Sequence, residues 1–182
     1  MVRRIVRIGR AWPAALAAAL LPLAAWLPPA VAEPVLKQPA PPLTVETLGS
    51  GQFDLGAMRG KVVLVDFWAT WCAPCLAEFP TFAKFHRKHH AQGLEIIALS
   101  IDRAQDKLKM QRVSAMLPFQ AALLSGATRN GFGTPEAVPV SYVIDAKGIV
   151  RDTFIGVDDE LLSEAIVPLL KEARTQAADA SR

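Results

Sequence analysis

The sequence predicts an α/β fold in which a central mixed sheet is flanked by helices, and three observations carry that prediction. Residues 62–67 (VVLVDF) and 94–101 (LEIIALSI) are apolar runs of strand length. They are too continuous to alternate, as in strands buried on both faces. Residues 76–92 between them read as a helix, and strand, helix and strand in that order make a right-handed crossover that sets the strands parallel. Farther on, Ala146-Lys147-Gly148 forms a turn into residues 149–155, an antiparallel hairpin that makes the sheet mixed.

From the start of the chain, Arg3, Arg4, Arg7 and Arg10 precede an uncharged span over residues 11–32 that ends in Ala30-Val31-Ala32. A basic leader, an apolar stretch and an A-x-A site predict a secretory signal, residues 1–32, cleaved before Glu33. An uncleaved anchor is the competing reading, and only then would the protein be tethered to a membrane. Pro13, Pro22, Pro28 and Pro29 make the span a poor continuous helix. The segment also accounts for the charge. Four of the 20 Lys and Arg lie ahead of Glu33, leaving 16 against 17 acids in the remainder. With that balance and no basic stripe interleaved with aromatics, no nucleic-acid partner is expected. Export also supplies surroundings in which a disulfide persists.

Residues 33–42 hold four prolines and are expected to form an extended leader outside the folded core. Residues 43–59 alternate weakly, break at Gly49-Ser50-Gly51 and resume with Phe53 and Leu55, which predicts a small β-hairpin before the central strand. The helix over 76–92 stops at Gly93, with a kink expected at Pro80. Beyond the second buried strand, a helix is expected over 104–116, a short strand over 119–124 and a loop over 125–137. Residues 138–145 read as a strand beginning at a proline, and Asp158 or Asp159 caps a last helix reaching about Ala173. The folded domain is therefore residues 43–173, with a frayed tail over 174–182.

Both cysteines sit where the first buried strand gives way to helix, as Cys72-Ala73-Pro74-Cys75. Two intervening residues put the sulfurs within disulfide reach when the second half is helical, and Pro74 is tolerated in a first turn. Cys72 at the helix N-terminus faces unpaired N–H groups and the positive end of the dipole, which favour the thiolate, the nucleophilic form. A structural zinc site wants four Cys or His ligands, and the three histidines are all packed into residues 86–90. A purely structural disulfide closing so short a loop constrains the unfolded chain little. His86, His89 and His90 are spaced as a surface metal site would be, yet with no acidic neighbour in sequence they are expected to be solvent-facing side chains, and no metal site is assigned.

The run Gly60-Lys61-Val62-Val63-Leu64-Val65, then Phe67-Trp68-Ala69-Thr70-Trp71-Cys72, Pro74-Cys75, Glu78 and Pro80, resembles the TlpA-like branch of the thioredoxin superfamily. That branch comprises extracytoplasmic thiol:disulfide oxidoreductases such as ResA and CcmG. The resemblance implies a thioredoxin-like fold with an N-terminal β extension and a helix-strand insert. It also implies that Val138-Pro139 is a cis peptide beside the cysteine pair, with Val138 free to pair with an extended substrate segment. Cys72 is then the nucleophile and Cys75 the resolving cysteine, with Trp71, Ala73, Pro74, Val138 and Pro139 meeting the substrate. Asp66 matches the buried acid of thioredoxins, where many TlpA-like proteins carry asparagine. Without partners it has a raised pKa and can shuttle the Cys75 proton; alternatively the backbone or Lys61 satisfies it. Glu78, one turn beyond Cys75, tunes the thiol pKa or is merely a first-turn acid suited to the helix dipole.

The expected activity is reduction of disulfides in exported proteins, with apocytochrome c and a copper-site protein as candidate partners. A membrane thiol transporter of the DsbD or CcdA type is the expected electron donor, and no cofactor is expected. A peroxidase of the peroxiredoxin kind would carry threonine three residues before its cysteine, where Cys72 has Ala69 and Cys75 has Cys72. A Cu(I) chaperone could use the two thiolates, but no methionine stands nearby and no histidine comes late in the chain.

Overall fold

The computed structural model describes residues 36–49 and 51–182; the expected signal segment and the first residues of the leader lie outside them. In chain order the elements are β1 (Leu43–Thr47), β2 (Gln52–Asp54), β3 (Val62–Trp68), α1 (Ala73–His89), β4 (Leu94–Ser100), α2 (Lys107–Ser114), β5 (Gln120–Asn130), β6 (Val140–Ile144), β7 (Val150–Phe154) and α3 (Asp159–Ala180). The seven strands form one mixed sheet in the order β2-β1-β5-β4-β3-β6-β7. Strands β3, β4 and β5 run parallel, and the remaining pairings are antiparallel. The expected N-terminal hairpin is present, and its β1 pairs with β5 to extend the far edge of the sheet.

Strand β3 is buried at every position, and its side chains alternate between two cores. Val62, Leu64 and Trp68 join residues of all three helices, whereas Val63, Val65 and Phe67 enter a second core on the opposite face. A strand with no solvated face must be apolar on both sides. Asp66 falls by this alternation on the helix-covered side, and it is the single charged residue of the strand. Helix α1 continues through Pro80 and ends near Gly93, whose φ of 99° is open to glycine without strain. Helix α3 is capped by Asp158, whose carboxylate accepts the Leu161 N–H at 2.8 Å.

Three expectations change. The part of the leader that is described is docked: Lys37 N–H donates to Val150 O, Ala40 N–H to Gly148 O, and Pro39 bridges Ile149. Ala40 packs on the second core, and Gly131 N–H donates to Pro42 O at 2.7 Å. A proline-rich segment makes few backbone bonds of its own, but a preset extended chain loses little entropy when laid on a surface. Strand β5 runs to Asn130 instead of ending at 124, because β1 pairs with Ala127, Arg129 and Asn130 across two irregularities in register. The final helix extends past Ala173 to Ala180 with Pro168 on its exposed side, so the expected tail is helical. Among the described residues no helix is long and apolar enough to cross a membrane.

Candidate active site

After β3 the chain turns through Ala69-Thr70-Trp71 and enters α1 with Cys72 as its N-cap residue. The Cys72 sulfur accepts the Cys75 backbone N–H at 3.3 Å. That is the position at which a helix N-terminus stabilises an anion on the capping atom. Cys72 and Cys75 are joined by a disulfide with Cα atoms 5.3 Å apart. Both are buried, with 4% and 1% of their surface exposed, so accessibility separates them little. What distinguishes Cys72 is its seat at the cap.

The turn ahead of Cys72 is held by a buried carboxylate that the sequence reading did not single out. Asp102 Oδ2 accepts Thr70 N–H at 2.8 Å and Oδ1 accepts the Thr70 hydroxyl at 2.9 Å. Ser100 Oγ donates to the same Oδ2 at 2.6 Å and accepts the Asp102 N–H at 3.0 Å. Ile101 N–H donates to Trp68 O. The ends of two adjacent parallel strands are thereby tied together directly beneath the motif. Ser100 and Asp102 follow the apolar run of β4, and polar residues at the carboxyl end of a parallel strand next to the motif strand were the available signal.

Asp66 is 1% exposed. Its Oδ1 accepts the Ser141 hydroxyl at 2.8 Å, while Oδ2 is buried without a hydrogen-bond partner. Burial raises its pKa from 3.8 to about 7; the Ser141 bond opposes that rise and the charge of Glu78 adds to it. Lys61 is not its partner, because Lys61 Nζ pairs with Glu95 Oε1 at 2.7 Å. Glu78 is also buried, and Oε1 accepts Val157 N–H at 3.3 Å while Oε2 lacks a partner. Desolvation raises its pKa too, and the Val157 bond works against it. Glu78 is therefore no solvated first-turn acid. It is a second buried carboxyl, close enough to Asp66 for its charge to disfavour ionisation of Asp66.

Trp71, Ala73 and Pro74 lie exposed around the disulfide, Trp71 with 68% of its surface in solvent. The Val138-Pro139 peptide is cis, and Val138 packs on the core cluster that includes both cysteines. The histidines depart from expectation. His86 and His89 are buried, and Glu95 supplies an acidic neighbour, its Oε2 3.7 Å from His90 Nδ1. The loop at Gly93 folds β4 back against the helix end, a proximity that sequence spacing conceals.

The profile of the AhpC/TSA family matches residues 36–153. The thioredoxin-like protein YneN of Bacillus subtilis is 33% identical over 122 residues, which are 65% of this chain and 71% of that protein. The thiol-disulfide oxidoreductase ResA of Bacillus cereus is 33% identical over 117 residues, 64% of this chain and 68% of that one. Among solved structures, a chain described as a thiol:disulfide interchange protein DsbE of Chlorobium tepidum superposes with a TM-score of 0.64 at 28% identity, covering 76% of this chain and 99% of that one.

Proposed function

Because the chain belongs to the AhpC/TSA family and is a thiol-disulfide oxidoreductase of the ResA/DsbE type, we propose that it reduces disulfides in exported proteins through Cys72 and Cys75. The observation that carries this reading is the Cys72 sulfur at the cap of α1, accepting the Cys75 N–H and disulfide-linked to its neighbour.

In the reduced protein, the Cys72 thiolate attacks one sulfur of a partner disulfide. A mixed disulfide forms and the partner's other sulfur leaves as thiolate. Cys75 then gives up its proton and attacks Cys72, which releases the second partner thiol and closes the Cys72–Cys75 bond. Two electrons have passed to the partner. Asp66, with a pKa of about 7, is poised to accept the Cys75 proton near neutral pH. Trp71, Ala73 and Pro74 offer an apolar shelf to an extended segment, and the Val138 backbone offers it hydrogen bonds.

Pro74 carries neither charge nor N–H to stabilise the thiolate further, and the buried acid Glu78 opposes a second negative charge nearby. Both favour a reductant, with a potential nearer the thioredoxin value of about −270 mV than the DsbA value of about −120 mV. A glutathione redox titration is expected to find it there, and a midpoint close to the DsbA value would reverse the direction of transfer. Working as a reductant, the oxidised protein must be recharged, which a membrane thiol transporter of the DsbD or CcdA type would do. An apocytochrome c or a copper-site protein outside the cytoplasm would be the recipient, with the N-terminal signal supplying export. Exporting Cys75→Ser protein tests the reading: disulfide-bearing exported proteins are expected to stay covalently trapped on Cys72, and a trap that holds none contradicts it.

A further inference from the structure

The far end of α1 carries a cluster that disulfide exchange does not use. His86 and His90 stand one turn apart with ring centroids 4.6 Å from each other. Glu95, at the head of β4, brings its carboxylate to them across the Gly93 turn. One donor atom from each of the three lies within 4.8 Å of the other two. We propose that His86, His90 and Glu95 bind a borderline divalent cation such as Zn2+.

Two imidazoles and a carboxylate are a donor set suited to Zn2+, leaving a further position for water. Ligands at about 2.0–2.2 Å from such an ion stand roughly 3.3 Å apart in a tetrahedron, so closure asks for shifts on the order of 1 Å. The surrounding bonds already orient the donors. His90 Nδ1 lies 3.1 Å from Leu94 O and 3.7 Å from Glu95 Oε2, so it is the ring nitrogen that faces the carboxylate, and a cation would take it from the carbonyl. Leu94 directly precedes Glu95, so one strand head places two of the three ligands.

His86 is 5% exposed and its Nδ1 has no hydrogen-bond partner. A buried imidazole nitrogen without a protein partner is free to take a cation. On Glu95, Lys61 takes only Oε1, which leaves Oε2 for the cation. The nearby positive charges, Lys61 on Glu95 and Arg87 felt by His86, weaken the site without blocking it. About 20 Å of helix separates His86 from Cys72, and His90 lies farther still, so the two centres do not share ligands. A bound ion would clip the last turn of α1 to the start of β4.

The test is calorimetric titration of ZnCl2 into the oxidised protein, whose sulfurs are tied up in the disulfide. One Zn2+ per chain is expected, with affinity about tenfold or more weaker in both His90→Ala and Glu95→Gln. His90 is exposed and Glu95 lies at the sheet end, so both variants should fold; melting each in EDTA checks this. The thermal midpoint of the wild type is expected to rise with Zn2+, and those of the variants are not. Absence of saturable binding, or equal affinity in wild type and both folded variants, overturns the assignment.

Discussion

Asp66 is the residue at which this sequence departs from what its surroundings prefer, since a carboxyl replaces an apolar side chain in a strand buried on both faces. Its cost has a definite sign. The folded pKa of about 7 lies above the ordinary 3.8, so between those values the folded state holds a proton that the unfolded chain has released. Stability is full below the lower value and falls as pH rises toward the upper, by about 1.4 kcal/mol per pH unit for this group. Asp66→Asn keeps the acceptor for Ser141 and removes the titration. In urea unfolding of the oxidised protein, it is expected to gain at least about 2 kcal/mol on the wild type between about pH 5 and about pH 8. A difference that does not vary with pH contradicts the raised pKa. The residue's identity and depth were legible, because it interrupts an apolar run. Its partner Ser141 was not, because the pairing of β6 with β3 joins residues 75 apart in sequence.

At the scale of elements, β3, α1, β4 and the 140–154 hairpin were readable because local patterns set them: continuous apolar runs, an N-cap, and stops at Gly93 and Gly148. The second half of β5 and the leader were not, because neither is specified locally. Residues 125–130 are small or polar and become strand only through pairing with β1. Residues 37–42 settle by contacts at the β7 edge and at Gly131. Gly131 reports on that contact directly. A Cβ built there would lie 2.6 Å from Pro42 Cδ and 2.9 Å from Pro41 Cβ, closer than packed carbons approach. Gly131→Ala is therefore expected to destabilise the protein by about 1–3 kcal/mol in urea unfolding, with residues 37–42 becoming protease-sensitive. Unchanged stability and protection would show that the segment does not seat on β5.

Across the whole molecule, the sheet divides the labour. One face carries the three helices and the cysteine pair, and the other is closed by the leader and the turn after β2. The strand ends that meet under the motif, through Asp102, Thr70 and Trp68, hold Cys72 at the helix mouth. In the proposed mechanism position supplies the reactivity: a sulfur held at the cap ionises more readily than one set three residues into the helix. Alkylation of the freshly reduced protein measures this, with iodoacetamide in excess, pH as the variable, and modification at Cys72 and Cys75 counted separately by peptide mass spectrometry. The account predicts that Cys72 reacts faster throughout and with an apparent pKa below the free-thiol value of about 8.5. Two thiols of equal and slow reactivity would contradict it.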